Sequence, residues 1–182
     1  MIHLIIGGSG SGKSAFAEKC AVEGKESYQN LYYLATMAPF GREAAARIKR
    51  HREARQEYGF TTIERQTDIG KITEEFNINN SILLLESLSD LAANELFTEN
   101  GEMNDSVNTG DRIFADILKL GEKTGKLIVV SDDIFRDGNI YTNETDTYMQ
   151  MLGQLHIRIA DVADTVTEVA AGIPCVRKGG VK

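Results

Sequence analysis

The eight residues GGSGSGKS, at positions 7–14, constrain the fold of this chain more than any other segment. They match the pattern G-x-x-x-x-G-K-[ST], follow the apolar run of residues 2–6 and precede a segment compatible with a helix. The glycines let the backbone wrap a phosphate with its N–H groups, and the start of the following helix adds the positive end of its dipole. The segment therefore predicts a strand, a phosphate-binding loop and a helix, in that order.

The same loop predicts which groups handle a nucleotide. Lys13 can reach the β- and γ-phosphates, and the Ser14 hydroxyl can ligate Mg²⁺. Nucleotide contacts are predicted at eight consecutive residues: Gly7, Gly8, Ser9, Gly10, Ser11, Gly12, Lys13 and Ser14. The nucleotide is expected to be ATP, GTP or both, because loops that the motif does not specify can recognise the base.

An acid at the end of a neighbouring strand usually accompanies such a site, where it holds the water shell of the metal or polarises a nucleophile. Glu86 ends the apolar run SILLLE and is the predicted catalytic and metal residue, binding Mg²⁺ directly or through water. Asp132 and Asp133 follow a second apolar run, KLIVVS, and are alternative candidates. The alternative interpretation of each of these three acids is a strand-end carboxylate that faces water and has no functional role.

Apolar runs alternate with helix-like segments along the chain. Strands are predicted at residues 2–6, 31–36, 60–64, 81–86, 126–131 and 164–169, with one more short strand near the end. Helices are predicted at residues 13–23, 43–57, 88–97, 111–123 and 145–162, and loops at 98–111 and 132–144. Near-continuous apolar runs are typical of parallel strands buried on both faces. The pattern predicts an α/β fold with a mostly parallel sheet flanked by helices.

The 182 residues suit one domain with a substantial core, so we predict a single nucleotide-binding domain over residues 1–182. A formal net charge of −7 argues against nucleic-acid binding that relies on neutralising many phosphates. With no signal peptide and no apolar run of the roughly 20 residues that span a bilayer, the protein is expected to be cytoplasmic. Cys20 and Cys175 lack the spacing of a metal site and are interpreted as apolar fillers.

The predicted helix 43–57 concentrates positive charge in the segment RIKRHREAR. Residues four apart share a helix face, so Arg47, His51 and Arg55 form one stripe. Like charges at this spacing weaken a helix, which favours a receptor for a polyanion such as the phosphates of a nucleotide. A solvated face paired with nearby glutamates is one alternative. A helix that binds RNA is another, although the interleaved aromatic residues and overall basicity typical of one are missing.

The stripe gives His51 a specific predicted role. Arginines four residues to either side disfavour the imidazolium and keep the ring neutral. A neutral imidazole is a nucleophile that can attack the α-phosphorus of a nucleotide, and the product would be a covalent nucleotidyl-histidine. His3, in a predicted strand, and His156, on the last predicted helix, lack such surroundings and are predicted to be structural.

Together these segments resemble the bifunctional adenosylcobinamide kinase and adenosylcobinamide-phosphate guanylyltransferase family of cobalamin biosynthesis. The resemblance runs nearly from end to end. It rests on GGSGSGKS, YYLAT, ARIKRHREAR, TTIE, LLLESLSDLAANELF, and YMQMLGQL followed by IADVADTVTEVAAGIP. A P-loop alone is common to many proteins, whereas a P-loop followed by a helix of pattern R-I-x-x-H-x-x-x-R is far more specific.

The resemblance implies a P-loop fold related to RecA-type cores, often assembled as a homotrimer. It implies phosphorylation of the aminopropanol hydroxyl of adenosylcobinamide by ATP or GTP. It also implies transfer of GMP from GTP to that phosphate through a guanylylated histidine, giving adenosylcobinamide-GDP. The nucleotidylated histidine of the family falls on His51. Besides the P-loop, its contacts and acidic positions fall on Ala35, Thr36, Met37, Arg52, Glu53, Ala54, Arg55, Glu64 and Glu86.

Some positions depart from the family pattern. The usual T-N-E-V-G after the fifth strand is replaced by Ser131, Asp132, Asp133, Ile134 and Phe135. Other replacements place Gly41 where an acid is common, Asp146 where an arginine is typical, and His156 and Ile157 where an Asn-Gln pair is usual. Two further hypotheses therefore stay open: a P-loop kinase of another small molecule, and a nucleotide-binding regulatory module without turnover.

Overall fold

Seven strands build one sheet in the part of the chain that the structure describes. The structure is a computed structural model, and that part comprises residues 1–38, 58–98, 100–135 and 143–180. The strands are β1 (Ile2–Gly7), β2 (Asn30–Ala35), β3 (Phe60–Glu64), β4 (Ser81–Glu86), β5 (Lys126–Asp132), β6 (Thr165–Ala170) and β7 (Ile173–Lys178). They lie in the order β3-β2-β4-β5-β1-β6-β7, and every neighbouring pair is parallel except β6 with β7. The carboxyl ends of the six parallel strands therefore share one edge of the sheet.

Helices cover both faces of this sheet. The α-helices in the described ranges are α1 (Lys13–Glu23), α2 (Ile72–Glu75), α3 (Leu88–Leu96), α4 (Ser106–Lys123) and α5 (Asn143–Val162). α1 packs on one face through its buried alanines, while the apolar side chains of α2 to α5 pack on the other face. None of the helices in these ranges combines the length and the apolar character needed to cross a bilayer.

The central strand β4 shows why the sheet is buried on both faces. Ile82 and Leu84 point into the core under α1, whereas Leu83 and Leu85 point into the core under α3 to α5. All four side chains are fully buried. Since successive side chains of a strand alternate between faces, a strand between two helical layers is apolar at every position. The continuous run SILLLE follows from this placement.

The predicted α/β P-loop fold, with its mostly parallel sheet and flanking helices, is confirmed. The six predicted strands agree with β1 to β6 to within one residue at each end, and the predicted short last strand is β7. The predicted helix 43–57 lies outside the described residues.

The predicted loop at 98–111 is wrong in its second half, where α4 has already begun. The Asp105 carboxylate caps the first turn of α4 by accepting a hydrogen bond from a backbone N–H of that turn. Gly110 faces α5, and a Cβ at this position would lie 3.4 Å from Cγ of Met151. Close packing of α4 on α5 thus overrides the low helix propensity of the Asn, Thr and Gly residues in this segment.

Candidate nucleotide-binding site

Two glycines shape the loop between β1 and α1, for different reasons. A Cβ on Gly7 would lie 2.5 Å from Ser11 Oγ and 2.7 Å from the carbonyl oxygen of Val169, so a larger residue does not fit. Gly12, which immediately precedes α1, has a φ of 89°, in the left-handed region that favours glycine. The Ser11 N–H donates to the carbonyl of Gly8 at 3.1 Å and closes the turn. The backbone therefore curls around the start of α1, as phosphate binding requires.

Lys13 points back into this loop and is only 8% exposed. Its Nζ lies 3.3 Å from the carbonyl oxygen of Gly8 and 2.6 Å from Oδ1 of Asp132. Asp132 is the last residue of β5 and pairs in register with Gly7 on β1. One of the two alternative acids thus lies in direct contact with the P-loop lysine.

Ser14 and Glu86 are also in contact. The Ser14 hydroxyl donates a hydrogen bond to Oε1 of Glu86. The second carboxylate oxygen, Oε2, is buried and has no hydrogen-bond partner among the described residues. A buried carboxylate oxygen without a partner, beside a serine hydroxyl, offers the hard oxygen ligands that Mg²⁺ prefers. The residues present therefore fit a Mg²⁺ ion.

Glu64 and Glu86 lie at the same level of the sheet, on either side of Ala35. Ala35 pairs with Glu64 of β3 and with Glu86 of β4. Neighbouring strands are about 4.8 Å apart, so the Cα atoms of the two acids are roughly 10 Å apart. Glu64 is exposed, and its strand lies two positions farther from β1 than the strand of Glu86. Of these two acids, the fold brings Glu86 to the P-loop.

Thr36 holds the chain at the point where β4 ends. Its side chain is fully buried, and its Oγ1 donates to the carbonyl of Ser87 at 2.8 Å and accepts from the Ser87 N–H at 2.7 Å. The side-chain amide of Asn94 donates to the Thr36 carbonyl at 2.8 Å. The Thr36 hydroxyl is therefore engaged inside the protein. Nucleotide contacts at Ala35, Thr36 and Met37 stay predictions.

Polar groups at the start of α3 form a cluster that the sequence interpretation missed. The Ser89 hydroxyl donates to Oδ2 of Asp132 at 2.7 Å, and the Tyr148 hydroxyl on α5 donates to the Ser89 carbonyl at 3.0 Å. Burial, with the charges of Asp90 and Asp132, raises the pKa of Tyr148 to about 12, so the phenol keeps its proton. The S-x-x-D spacing of Ser87 and Asp90 could have indicated the helix start. No local pattern links Ser89 with a residue 43 positions away.

His3 and His156 are buried, as their predicted structural roles require. His3 Nε2 lies 2.9 Å from Thr167 Oγ1, and His156 Nε2 lies 2.7 Å from Ser131 Oγ. The ring of Phe135 meets the His156 ring edge-on, with 5.7 Å between their centroids. Burial lowers the pKa of each histidine to about 4, so both rings are neutral at pH 7.

The predicted nucleophile His51 lies outside the described residues, as do the predicted contacts Arg52, Glu53, Ala54 and Arg55. The structure therefore brings together Lys13, Ser14 and Glu86, and the part of the predicted site that carries His51 stays a prediction.

Solved structures of similar fold belong to proteins of low sequence identity. The flagellar accessory protein FlaH from Methanocaldococcus jannaschii superposes with a TM-score of 0.55 at 14% identity, covering 98% of this chain and 78% of that one. The ATPase domain of a second protein superposes with a TM-score of 0.52 at 15% identity, covering 92% of this chain and 68% of that one. At these identities the likeness concerns the fold alone.

Proteins that are similar in sequence say more than the fold, because they point to one family. The bifunctional adenosylcobalamin biosynthesis protein CobP of Pseudomonas aeruginosa is 31% identical over 179 residues, which are 98% of each chain. The bifunctional adenosylcobalamin biosynthesis protein CobU of Escherichia coli K12 is 27% identical, over 95% of this chain and 97% of that protein. The family model for cobinamide kinase / cobinamide phosphate guanyltransferase matches residues 3–176. With its P-loop site and a family match that spans nearly all of its length, this chain belongs to the cobinamide kinase / cobinamide phosphate guanyltransferase family.

Proposed function

We propose that this chain catalyses two consecutive reactions of cobalamin biosynthesis. The first transfers the γ-phosphoryl group of ATP or GTP to the aminopropanol hydroxyl of adenosylcobinamide. The second transfers GMP from GTP to the resulting phosphate, through a guanylylated His51, and yields adenosylcobinamide-GDP. Membership of the family, and similarity over nearly the full length to two bifunctional adenosylcobalamin biosynthesis proteins, support both reactions.

The convergence of Lys13, Ser14 and Glu86 at the end of β1 is the observation that carries the kinase step. In phosphoryl transfer, the acceptor oxygen bonds to the γ-phosphorus while the bond to the β–γ bridging oxygen breaks. The protein mainly positions the groups and offsets the charge of the transferring phosphoryl. Lys13 supplies a buried cation for this purpose, and the N–H groups of the loop supply hydrogen-bond donors.

Ser14 and Glu86 would hold Mg²⁺, directly or through water, together with oxygens of the nucleotide. When bound, the ion would offset negative charge on the phosphates. The hydrogen bond from Ser14 to Glu86 keeps both oxygen ligands together at the start of α1.

In the guanylyl step, a ring nitrogen of His51 attacks the α-phosphorus of GTP, and pyrophosphate leaves. A phosphate oxygen of adenosylcobinamide phosphate then attacks the same phosphorus, which releases the histidine. Arg52, Arg55 and Lys13 offset the phosphate charge. The sequence pattern around His51 and the family match support this half of the proposal.

GTP labelled at the α-phosphate tests the guanylyl step. With Mg²⁺, the wild-type protein should acquire label that survives alkali and is released by mild acid. His51→Ala should acquire none, whereas His156→Asn, which replaces a buried histidine, should keep the label. Absence of label on the wild-type protein, or equal label on His51→Ala, would contradict the guanylyl step.

Nucleotide labelled at the γ-phosphate tests the kinase step with adenosylcobinamide as acceptor. Lys13→Met should lower the rate by about 10²–10³-fold, the usual effect of removing a group that stabilises transition-state charge. Lys19→Met is the matched control, because Lys19 lies on the same helix with an exposed side chain that pairs with Glu23. Phosphorylation of another small molecule in place of adenosylcobinamide would support a different P-loop kinase. Nucleotide binding without turnover would support a regulatory module.

We further propose that residues 1–182 form a single domain that assembles as a homotrimer in the cytoplasm, on the strength of the family resemblance. Light scattering during size-exclusion chromatography tests the assembly. A mass of three chains is expected, and a mass of one or two chains would contradict the trimer.

A further inference from the structure

Glu86 is the last residue of β4, so the position of its carboxylate depends on how the backbone leaves this strand. Thr36, directly after β2, holds that backbone. Its N–H donates to the carbonyl of Glu86 at 3.1 Å. Its hydroxyl accepts a hydrogen bond from the Ser87 N–H at 2.7 Å and donates one to the Ser87 carbonyl at 2.8 Å. Thr36 therefore contacts three consecutive polar groups of the backbone at the exit from β4.

Thr36 is itself held in place by Asn94 on α3. It is fully buried, and the side-chain amide of Asn94 donates to its carbonyl at 2.8 Å. The same amide donates to the carbonyl of Gln66, just after β3, at 3.2 Å. Ser87 is the N-cap of α3, so the start of the helix and the ends of β2 and β4 form one closed set of contacts. A shift of Thr36 or Ser87 would break several hydrogen bonds at once.

The Glu86 carboxylate depends on this backbone for its orientation. The Ser14 hydroxyl donates to Oε1, and Oε2 has no hydrogen-bond partner within the described ranges. Mg²⁺ tolerates little deviation from octahedral geometry. Groups that orient a metal ligand are therefore important, and the loss of one usually lowers metal affinity by about 10–100-fold. Of the contacts near Glu86, those of Thr36 hold the residues from which the carboxylate extends.

We propose that Thr36, supported by Asn94, is a positioning residue for the metal site. Its hydroxyl holds the backbone of Ser87, and thereby the Glu86 carboxylate, in the position that binds Mg²⁺ together with the nucleotide. This inference rests on the proposed function, because it takes Ser14 and Glu86 as the groups that hold the ion. It gives the Thr36 hydroxyl a role that differs from direct contact with the nucleotide. Binding measurements, which need no turnover, test it separately from the kinase step.

Calorimetric titration with the α,β-methylene analogue of GTP tests the proposal, because this analogue cannot guanylylate His51. Titrations in EDTA and at several Mg²⁺ concentrations give the affinity without the ion and the Mg²⁺ concentration that produces half of the gain in affinity. In Thr36→Val this concentration should rise about tenfold, while the affinity in EDTA stays within about twofold of the wild type. Thr36→Ser keeps the hydroxyl and should need a Mg²⁺ concentration near that of the wild type.

Thr124→Val is the matched control for a loss of stability. Thr124 is also buried, and its hydroxyl also donates to a backbone carbonyl, that of Leu120 at 2.8 Å. It lies at the end of α4, near the amino end of β5 and so at the opposite edge of the sheet from Glu86. The variant should lose stability and keep the Mg²⁺ dependence of the wild type.

Asn94→Leu is a second test that leaves Thr36 unchanged. It removes the donor to the Thr36 carbonyl, so the Mg²⁺ concentration should rise in the same direction as in Thr36→Val, but by less. Its control is Asn104→Leu, because the exposed Asn104 side chain also donates to a backbone carbonyl, that of Glu95 at 2.8 Å. This control should bind the analogue and Mg²⁺ as the wild type does.

An unchanged Mg²⁺ concentration in folded Thr36→Val would overturn the inference, and if that variant does not fold, Asn94→Leu decides in the same way. Equal weakening with and without Mg²⁺ would also overturn it, because the hydroxyl would then serve the nucleotide or the fold and not the ion. So would a wild-type affinity that does not depend on Mg²⁺. If the wild-type protein does not phosphorylate adenosylcobinamide, the proposed function fails, while the binding data still decide the role of Thr36.

Discussion

Ser14 and Glu86 are hydrogen-bonded to each other although 72 positions separate them in the sequence. The bond joins the first turn of α1 to the end of β4 across β5, the strand that lies between β4 and β1. It leaves Oε2 of Glu86 buried and without a partner among the described residues. A buried polar atom in this condition is uncommon in proteins and calls for a specific explanation, such as an ion.

Glu86→Gln should therefore impair the use of Mg²⁺. The amide keeps the size of the side chain but lacks the charge, so the Mg²⁺ concentration for half-maximal kinase activity should rise and kcat should fall about 10²-fold. Initial rates measured over a range of Mg²⁺ concentrations give both quantities. Glu64→Gln is the comparison variant, because it removes the same charge from a strand end that does not reach Ser14. Its Mg²⁺ requirement should stay near that of the wild type, and an unchanged requirement in Glu86→Gln would contradict the metal site.

Thr36→Val should destabilise the protein through the backbone of Ser87. Valine has nearly the shape of threonine, but it removes the hydroxyl that pairs with the buried N–H of Ser87, while the Ser87 carbonyl keeps its hydrogen bond from the Leu91 N–H. The free energy of unfolding should fall by about 2–3 kcal/mol. Thr36→Ser keeps the hydroxyl, loses one methyl group and should cost about 1 kcal/mol. Urea unfolding measures both values, and a smaller loss for valine than for serine would show that the hydroxyl does not hold Ser87.

Local patterns in the sequence are sufficient to predict much of this arrangement. GGSGSGKS predicts β1, the loop and α1, because its glycines and its place after an apolar run are local features. The apolar run that ends at Glu86 predicts a buried strand with an acid at its carboxyl end. Parallel strands share one edge, so an acid at that edge is already a candidate for the metal site.

The contacts of Asp132 depend on information that is not local. Lys13 meets Asp132 because β5 is the neighbour of β1, and Ser89 meets Asp132 because α3 begins beside that strand end. Strand order is a property of the whole sheet. The sequence therefore leaves Asp132 as one of several acids, and the fold gives it its two partners. In the same way, α4 begins earlier than its composition suggests because Gly110 packs against α5.

Gly7→Ala and Gly8→Ala should differ in stability although they are adjacent. A Cβ on Gly7 would lie 2.7 Å from the backbone carbonyl oxygen of Val169, and backbone cannot easily move aside. The expected loss is about 1–3 kcal/mol in the free energy of unfolding. A Cβ on Gly8 would meet nothing within 4 Å, so this change should stay within about 0.5 kcal/mol. Thermal or urea unfolding compares them, and equal losses would contradict the crowding at Gly7.

The buried pair of His156 and Ser131 should make folding stability depend on pH. Burial lowers the pKa of His156 to about 4 in the folded protein, against the nearby charges of Asp133 and Asp132, which act in the opposite direction. An unfolded chain has a histidine pKa of about 6.5. Between these values the unfolded state binds a proton that the folded state does not. The contribution of His156 to the free energy of unfolding is therefore fully present above pH 6.5 and is lost as the pH falls toward 4.

The size of the effect follows from the difference in pKa. At 1.36 kcal/mol per pKa unit, His156 should account for roughly 3 kcal/mol between pH 6.5 and pH 4. Urea unfolding at several pH values in this range measures it. His156→Gln should reduce the slope of the free energy of unfolding against pH, by an amount that corresponds to at most one bound proton. His3→Gln should flatten it in the same direction, because burial also lowers the pKa of His3 to about 4. A pH dependence in His156→Gln as steep as in the wild type would mean that the ring next to Ser131 is protonated in the folded protein, contrary to its buried position.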